Sequence, residues 1–95
     1  MDEYVIITVP GCPWCSKAID LAEKEGFSYR IQGMTWGKEL REIQAKQEGW
    51  KTVPMVFKVR DGVETFLGGY TEFQNYVNEV KEDHARQEEN QEAQR

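Results

Sequence analysis

The hydrophobic and polar positions in the first half of the chain fall into four blocks with distinct periods. Residues 4–9 form a nearly continuous apolar run, which is typical of a buried strand, and residues 13–24 place apolar side chains at helical spacing. Residues 27–31 alternate like a strand with one apolar face. Residues 38–47 scatter a few apolar residues among many charges, as a surface helix does. The pattern therefore predicts the order strand, helix, strand, helix.

The next blocks predict a hairpin. Residues 55–59 and 63–67 are two strand-like runs, and the Asp-Gly pair at 61–62 lies between them. An Asp-Gly pair between two such runs favours a tight turn, because its backbone accepts the positive φ angles that the turn requires. We therefore expect these two strands to be antiparallel.

The last part of the chain changes from an amphipathic helix to a wholly polar segment. Thr71 is suited to cap the helix, because its hydroxyl can accept a hydrogen bond from the first turn. The apolar positions on one face of this helix are Phe73, Tyr76, Val77 and Val80. From about Glu82 onward, the chain has too few apolar residues to offset the entropy cost of ordering. We expect a structured domain over residues 1–83 and a disordered polar tail over residues 84–95.

These elements combine into an α/β fold of the thioredoxin-like type. The first two strands, joined through a helix, are expected to be parallel, whereas the hairpin adds an antiparallel pair. The predicted architecture is a four-stranded mixed sheet flanked by three helices, which cover both of its faces.

Length and charge exclude several functional classes. The 95 residues make one domain, and a net charge of -5 gives no electrostatic support for nucleic-acid binding. The chain begins with the acidic residues 2–3, and its first apolar run is too short for a signal peptide or a membrane span. We therefore expect a cytoplasmic protein that binds neither nucleic acid nor membrane.

The only two cysteines of the chain, Cys12 and Cys15, are separated by two residues. They lie between the first predicted strand and the first predicted helix, which is the arrangement typical of a redox dithiol. Cys12 falls at the start of the helix, where unpaired N–H groups and the helix dipole favour a thiolate. Pro13 fits the first helical position, because its missing N–H would have no intrahelical partner there. We expect Cys12 to be the attacking thiol and Cys15 to be the more buried, resolving thiol.

Two other uses of the cysteines are disfavoured. A structural disulfide is disfavoured, because a short-loop bridge adds little stability and nothing in the sequence indicates secretion. A zinc site is disfavoured because four ligands are usual, and His84 is the only histidine. We therefore expect no metal site.

The chain resembles the glutaredoxin family from about Tyr4 to Val80. Three separated motifs carry the resemblance in the family's order and spacing: Cys-Pro-Trp-Cys at 12–15, Thr-Val-Pro at 52–54, and Gly-Gly-Tyr-Thr-Glu at 68–72. The family usually has tyrosine where this chain has Trp14. The resemblance implies that residues 1–83 are a glutaredoxin domain.

The resemblance also implies that glutathione binds in a groove made by these motifs. Its cysteine residue would pair with the backbone of Val53, beside a cis bond at Pro54, as an added strand does. Its γ-glutamyl end would bind at the start of the last helix, where the Glu72 side chain would meet the ammonium group. The residues that the resemblance assigns to this groove are Trp14, Thr52, Val53, Pro54, Gly69, Tyr70, Thr71 and Glu72.

The cation that would bind the glycine carboxylate of glutathione is left open. Many family members have a basic residue shortly before the first cysteine, but residues 8–11 contain none. The candidates are Lys38, Arg41 and Lys51. Among the aromatic residues, Trp14 is expected to be exposed and to contact the ligand, whereas Trp36 and Trp50 are expected to be packing residues.

The function implied by the resemblance is that of a glutathione-dependent thiol-disulfide oxidoreductase with a Cys12/Cys15 dithiol. Glutathione would be the reductant, and disulfide-containing or glutathionylated proteins would be the substrates of a monomeric enzyme. An alternative is a thioredoxin-like electron donor, for example to ribonucleotide reductase, that is recharged by a flavoprotein reductase. A second alternative is an iron-sulfur cluster carrier.

Overall fold

The structure is a computed structural model that describes the backbone of residues 2–93 and the side chains of residues 2–81. It contains the four strands and three helices in the predicted order. Their bounds are β1 Glu3–Thr8, α1 Pro13–Lys24, β2 Ser28–Gly33, α2 Lys38–Lys46, β3 Met55–Arg60, β4 Val63–Gly68 and α3 Tyr70–Ala93.

The strands form one mixed sheet in the order β2-β1-β3-β4. β1 runs parallel to β2, with Tyr4 opposite Tyr29, and antiparallel to β3, with Ile7 opposite Met55. β4 pairs antiparallel with β3 and places Gly68 opposite Val56. The predicted four-stranded mixed sheet with a parallel first pair and an antiparallel hairpin is therefore confirmed.

One face of the sheet packs against α1 and α3. The buried residues of this layer come from the inner strands, from α1 and from α3: Tyr4, Ile6, Ala18, Ala22, Val56, Phe73 and Val77. Two small alanines on α1 let this helix approach the sheet closely, and Phe73 of α3 is completely buried. Burying a phenylalanine side chain stabilises a fold by about 1.5–3 kcal/mol, so this contact holds α3 on the sheet.

The opposite face packs against α2. Its buried residues are Val5, Ile7, Val9, Leu40, Met55 and Phe57. Successive residues of β1 thus point into opposite layers, which explains why its apolar run does not alternate. Leu40 is the completely buried contact from α2, while most other residues of this short helix face solvent. Helices on both faces of the sheet were predicted, and this prediction is confirmed.

β2 and α3 differ from their predicted forms. β2 begins at Ser28 instead of residue 27 and is an edge strand, and Ile31 remains 48% exposed. Phe27 packs against the core from just outside the strand. The backbone of α3 is helical to Ala93, beyond the expected helix end. The side chains of the predicted polar tail lie outside the described residues, so the division at residue 83 stays a prediction.

The sheet register brings the three sequence motifs to one edge. The end of β1 lies opposite the start of β3, because Ile7 pairs with Met55. The end of β4 also lies beside the start of β3, because Gly68 pairs with Val56. The loop that carries the cysteines, the segment before β3 and the start of α3 therefore meet at the same place.

Candidate active site

Cys12 is the N-cap residue of α1, as the sequence predicts. Its backbone is extended, with φ -101° and ψ 106°, and Pro13 is the first helical residue. The Cys12 sulfur accepts a hydrogen bond from the backbone N–H of Cys15 at 3.2 Å. The sulfur therefore takes the place that a serine or aspartate oxygen usually has at a helix start, where negative charge is favoured.

Cys15 lies one turn further along α1 and is buried, with 3% of its surface exposed. Burial is the main cause that raises the pKa of its thiol to about 12, and a hydrogen bond with Cys12 acts in the same direction. A hydrogen bond with the Val9 backbone opposes this shift. Both thiols are free in this structure. Cys15 is therefore protonated at neutral pH and becomes a nucleophile only when its proton is removed.

The raised pKa of Cys15 predicts a loss of stability in alkali. Between about pH 9 and 12, an unfolded chain releases the Cys15 proton whereas the folded chain keeps it, so unfolding is favoured as pH rises. The expected slope is at most about 1.4 kcal/mol per pH unit for this group. Urea unfolding of the reduced protein from pH 8 to 11 measures it.

The matched control for this slope is Cys15→Ser, which removes the titrating thiol. Tyr4 contributes in the same direction in both proteins, because burial and then its hydrogen bond with Tyr76 raise the pKa of its phenol. The difference in slope between wild type and Cys15→Ser therefore isolates Cys15. Equal slopes in the two proteins would contradict the burial of a protonated thiol.

The segment before β3 faces Cys12. The Val53–Pro54 peptide bond is cis, as the resemblance implied, and Pro54 is fully buried. The Cys12 thiol donates to the Val53 carbonyl oxygen over 3.9 Å, which is a weak contact between sulfur and oxygen. The side-chain amide of the buried Gln44 donates to the Thr52 carbonyl oxygen at 3.5 Å and links this segment to α2.

The start of α3 is capped differently from the prediction. The helix begins at Tyr70, one residue before the Thr71 that was expected to cap it. A carboxylate oxygen of Glu72 accepts a hydrogen bond from the Gly69 N–H at 2.8 Å. This is the return contact of a capping box, in which the third helical residue reaches back to the N-cap. The prediction of Thr71 as the cap is wrong, because the helix begins at Tyr70 and Thr71 therefore lies inside its first turn.

A groove of about 430 Å³ connects the segment before β3 with the start of α3. Its lining contains all eight residues that the sequence assigned to it: Trp14, Thr52, Val53, Pro54, Gly69, Tyr70, Thr71 and Glu72. Trp14 is 53% exposed, as predicted, and its ring lies 5.6 Å from that of Tyr70. The volume is within the range of small-molecule sites, about 300–1,000 Å³.

Trp50 is a groove residue that the sequence did not assign. It lines the groove, and its indole packs edge-on against Phe66 at 5.1 Å. Its position two residues before the Thr-Val-Pro motif is the signal in the sequence, which predicts only a packing role. The packing role predicted for Trp36 is wrong, because this residue is 60% exposed in the loop between β2 and α2.

The three candidate cations are not part of the groove lining. Lys38 borders a separate cavity of about 870 Å³ with Val9 and Pro10. Arg41 lies in the first turn of α2. Lys51 borders a recess that shares Trp50 and Thr52 with the groove, so it is the candidate that lies next to the groove.

The described residues contain neither a metal-binding cluster nor a membrane-spanning helix. In this part of the chain, no group of three or more histidine, cysteine, aspartate or glutamate side chains is placed to hold a metal ion. No helix within the same residues is long and apolar enough to cross a membrane.

Comparison with known proteins shows to which family this architecture belongs. A family profile described as Glutaredoxin matches residues 4–63. Together with the fold and the dithiol at the start of α1, this match defines a thiol-disulfide oxidoreductase. Glutaredoxin 1 of Escherichia coli K12 is 35% identical over 87 residues, which cover 81% of this chain and 94% of that protein. The chain belongs to the glutaredoxin family.

Solved structures agree with this assignment. The solution structure of glutaredoxin from Brucella melitensis superposes with a TM-score of 0.66 at 27% identity, covering 86% of this chain and 85% of that chain. The crystal structure of glutaredoxin 1 from Francisella tularensis, complexed with cacodylate, gives a TM-score of 0.67. Its identity is 21%, and it covers 86% of this chain and 99% of that chain, so it supports the fold alone. The predicted thioredoxin-like fold is confirmed.

Proposed function

We propose that this protein is a glutathione-dependent oxidoreductase that reduces protein disulfides and glutathione mixed disulfides. The observation that carries the proposal is the position of the groove: it begins where the Cys12 sulfur faces Val53, and it ends at the N-terminus of α3. A thiol tripeptide bound along it would present its sulfur to Cys12. We propose that the protein acts as a monomer, because the nine residues that line the groove are all present in one chain.

Glutathione binding would use backbone groups in the middle of the groove. The N–H and C=O of Val53 precede β3 and would pair with the cysteine residue of glutathione as a neighbouring strand does. The γ-glutamyl carboxylate would accept hydrogen bonds from the first N–H groups of α3. One Glu72 oxygen is used by Gly69, so the other would meet the ammonium group.

The first chemical step would be attack by the Cys12 thiolate on a disulfide sulfur. The substrate S–S bond breaks, a mixed disulfide with Cys12 forms, and the other substrate sulfur leaves as a thiolate that takes a proton. The helix N-terminus holds the attacking sulfur in place through the Cys15 N–H. When the substrate is glutathionylated, the groove would hold the glutathione part and the protein thiol would leave.

The second step would use Cys15. Its thiol, already hydrogen-bonded with the Cys12 sulfur, gives up its proton and attacks that sulfur, which releases the bound thiol and leaves a Cys12–Cys15 disulfide. Two glutathione molecules would then reduce this disulfide and leave as glutathione disulfide. Proteins that form a disulfide during their own turnover, ribonucleotide reductase among them, are the proposed protein substrates.

Cys15→Ser tests the division of work between the two thiols. We expect this variant to keep activity on a small glutathione mixed disulfide, within about tenfold of wild type, because Cys12 alone can exchange with glutathione. On a protein disulfide it should lose at least about a hundredfold, because no second thiol remains to release the substrate. Steady-state assays on both substrates measure this split.

The reductant requires a separate measurement. We expect glutathione to reduce the oxidised protein rapidly, whereas a thioredoxin reductase with its own nicotinamide cofactor should not. Reduction by the flavoprotein alone would instead support a thioredoxin-like electron donor.

If Cys15→Ser lost activity equally on both substrates, the proposed two-thiol mechanism would be contradicted.

A further inference from the structure

Lys17 places a positive charge beside Trp14. The Lys17 ammonium nitrogen lies 4.1 Å from the centroid of the Trp14 ring. The two residues are three positions apart on α1, which puts their side chains next to each other on the helix surface. A cation over an indole face is attracted by the negative charge density there. This contact gives an exposed lysine a defined position.

Trp14 connects Lys17 to the groove. The Trp14 ring lies 5.6 Å from the Tyr70 ring, and both side chains line the groove. Lys17 does not line the groove itself, but it contacts Trp14, which does. It therefore lies at the rim of the groove, on the side of α1. A substrate segment that leaves the groove near Cys12 would pass this rim.

Lys17 forms no ion pair with the described side chains, although Asp20 lies three positions further along the same helix. Among the described side chains, the ion pairs join Arg30 with Glu3, Arg60 with Asp2 and Lys81 with Glu25, and no carboxylate pairs with Lys17. The whole chain carries a net charge of -5, so an acidic substrate would be repelled at long range. The Lys17 ammonium group, held over the Trp14 ring, adds a positive charge beside the groove.

We propose that Lys17 is a specificity-determining residue that favours protein substrates with acidic residues next to the disulfide-bonded cysteine. The inference rests on the proposed function. With glutathione in the groove, the protein part of a mixed disulfide extends past the rim, where a carboxylate can approach the ammonium from the side that Trp14 leaves open. Such charge complementarity acts mainly on association and orientation.

The test compares two glutathionylated peptides that differ only in the two residues beside the cysteine, which are glutamates in one and lysines in the other. The measured quantity is kcat/KM for the glutamate peptide divided by kcat/KM for the lysine peptide, determined within each protein variant. Any effect of a substitution that is common to both peptides cancels in this ratio. We expect a ratio above one in wild type and a fall of about three- to tenfold in Lys17→Gln. Lys17→Glu should bring the ratio below one.

Lys24→Gln is the matched control. It removes the same charge from the same helix, about 10 Å away along the axis, at the last turn. This variant should keep the wild-type ratio, and 0.5 M salt should reduce the ratio in wild type. If both peptides were turned over and the ratio were the same in wild type and Lys17→Gln, the proposed role of Lys17 would be wrong. The proposed function would not be affected by that result. If wild type turned over neither peptide, the proposed function would fail and this inference with it.

Discussion

Cys12→Ser should lower turnover of every disulfide substrate by at least about a thousandfold. A serine oxygen cannot form the mixed disulfide through which exchange proceeds, and Cys15 is buried with its thiol protonated. Activity on both a glutathione mixed disulfide and a protein disulfide should therefore disappear together. Steady-state kinetics with the two substrates measure the loss.

The same variant should keep its fold, because serine is among the preferred N-cap residues and its oxygen can accept the Cys15 N–H that the sulfur now accepts. We expect an unchanged or higher Tm for Cys12→Ser relative to the reduced wild type. The Tm of Cys12→Ser therefore serves as the control for its activity, because a folded but inactive variant shows that the loss comes from the missing thiol. Residual turnover within tenfold of wild type would show that Cys12 is not the attacking thiol.

The fold could be predicted because its main elements have clear periods. The run at 4–9 is apolar at successive positions, and the structure shows why: Ile6 and Ile7 are buried in different layers. β2 is harder to predict from the sequence, because an edge strand needs only partial burial and its alternation of apolar and polar residues is weak. Ile31 matched the apolar pattern but remains half-exposed, since neither neighbouring helix covers it fully.

The groove could be predicted where its residues lie in contiguous motifs. The segments at 52–54 and 68–72 each lie directly beside a strand end, so the register alone brings them together. The binding cation could not be chosen, because a lysine side chain reaches far and the sequence does not fix its direction. Lys17 was missed because its role depends on Trp14, a contact between neighbouring turns of α1 that a motif comparison does not reveal.

Glu72 has an observed role in the fold and a proposed role in the site. Its carboxylate folds back over Gly68 to accept the Gly69 N–H, which stabilises the start of α3. The longer reach relative to aspartate is used in this return contact. The position of the carboxylate therefore depends on the space that Gly68 leaves open.

Gly68→Ala should disrupt both the capping contact of Glu72 and its proposed contact with glutathione. Gly68 has a φ of +121°, which alanine adopts only with strain, and an added Cβ would lie 2.6 Å from the Glu72 Cβ and Cγ. We expect a loss of about 2–4 kcal/mol in the free energy of unfolding, from backbone strain and the lost cap contact. KM for a glutathione mixed disulfide should rise about tenfold or more, because the displaced carboxylate no longer meets the ammonium group. Urea unfolding and steady-state kinetics measure the two effects.

Two variants separate this explanation from a general effect of adding a methyl group. Gly33→Ala at the end of β2 meets no atom within 4 Å, so its stability and KM should stay close to wild type. Glu72→Gln keeps an oxygen that can accept the Gly69 N–H but loses the charge, so it should remain folded while KM rises. An unchanged KM in Glu72→Gln would show that this carboxylate does not bind the ammonium group of glutathione. A Gly68→Ala protein as stable as wild type would contradict the predicted strain and loss of the cap contact.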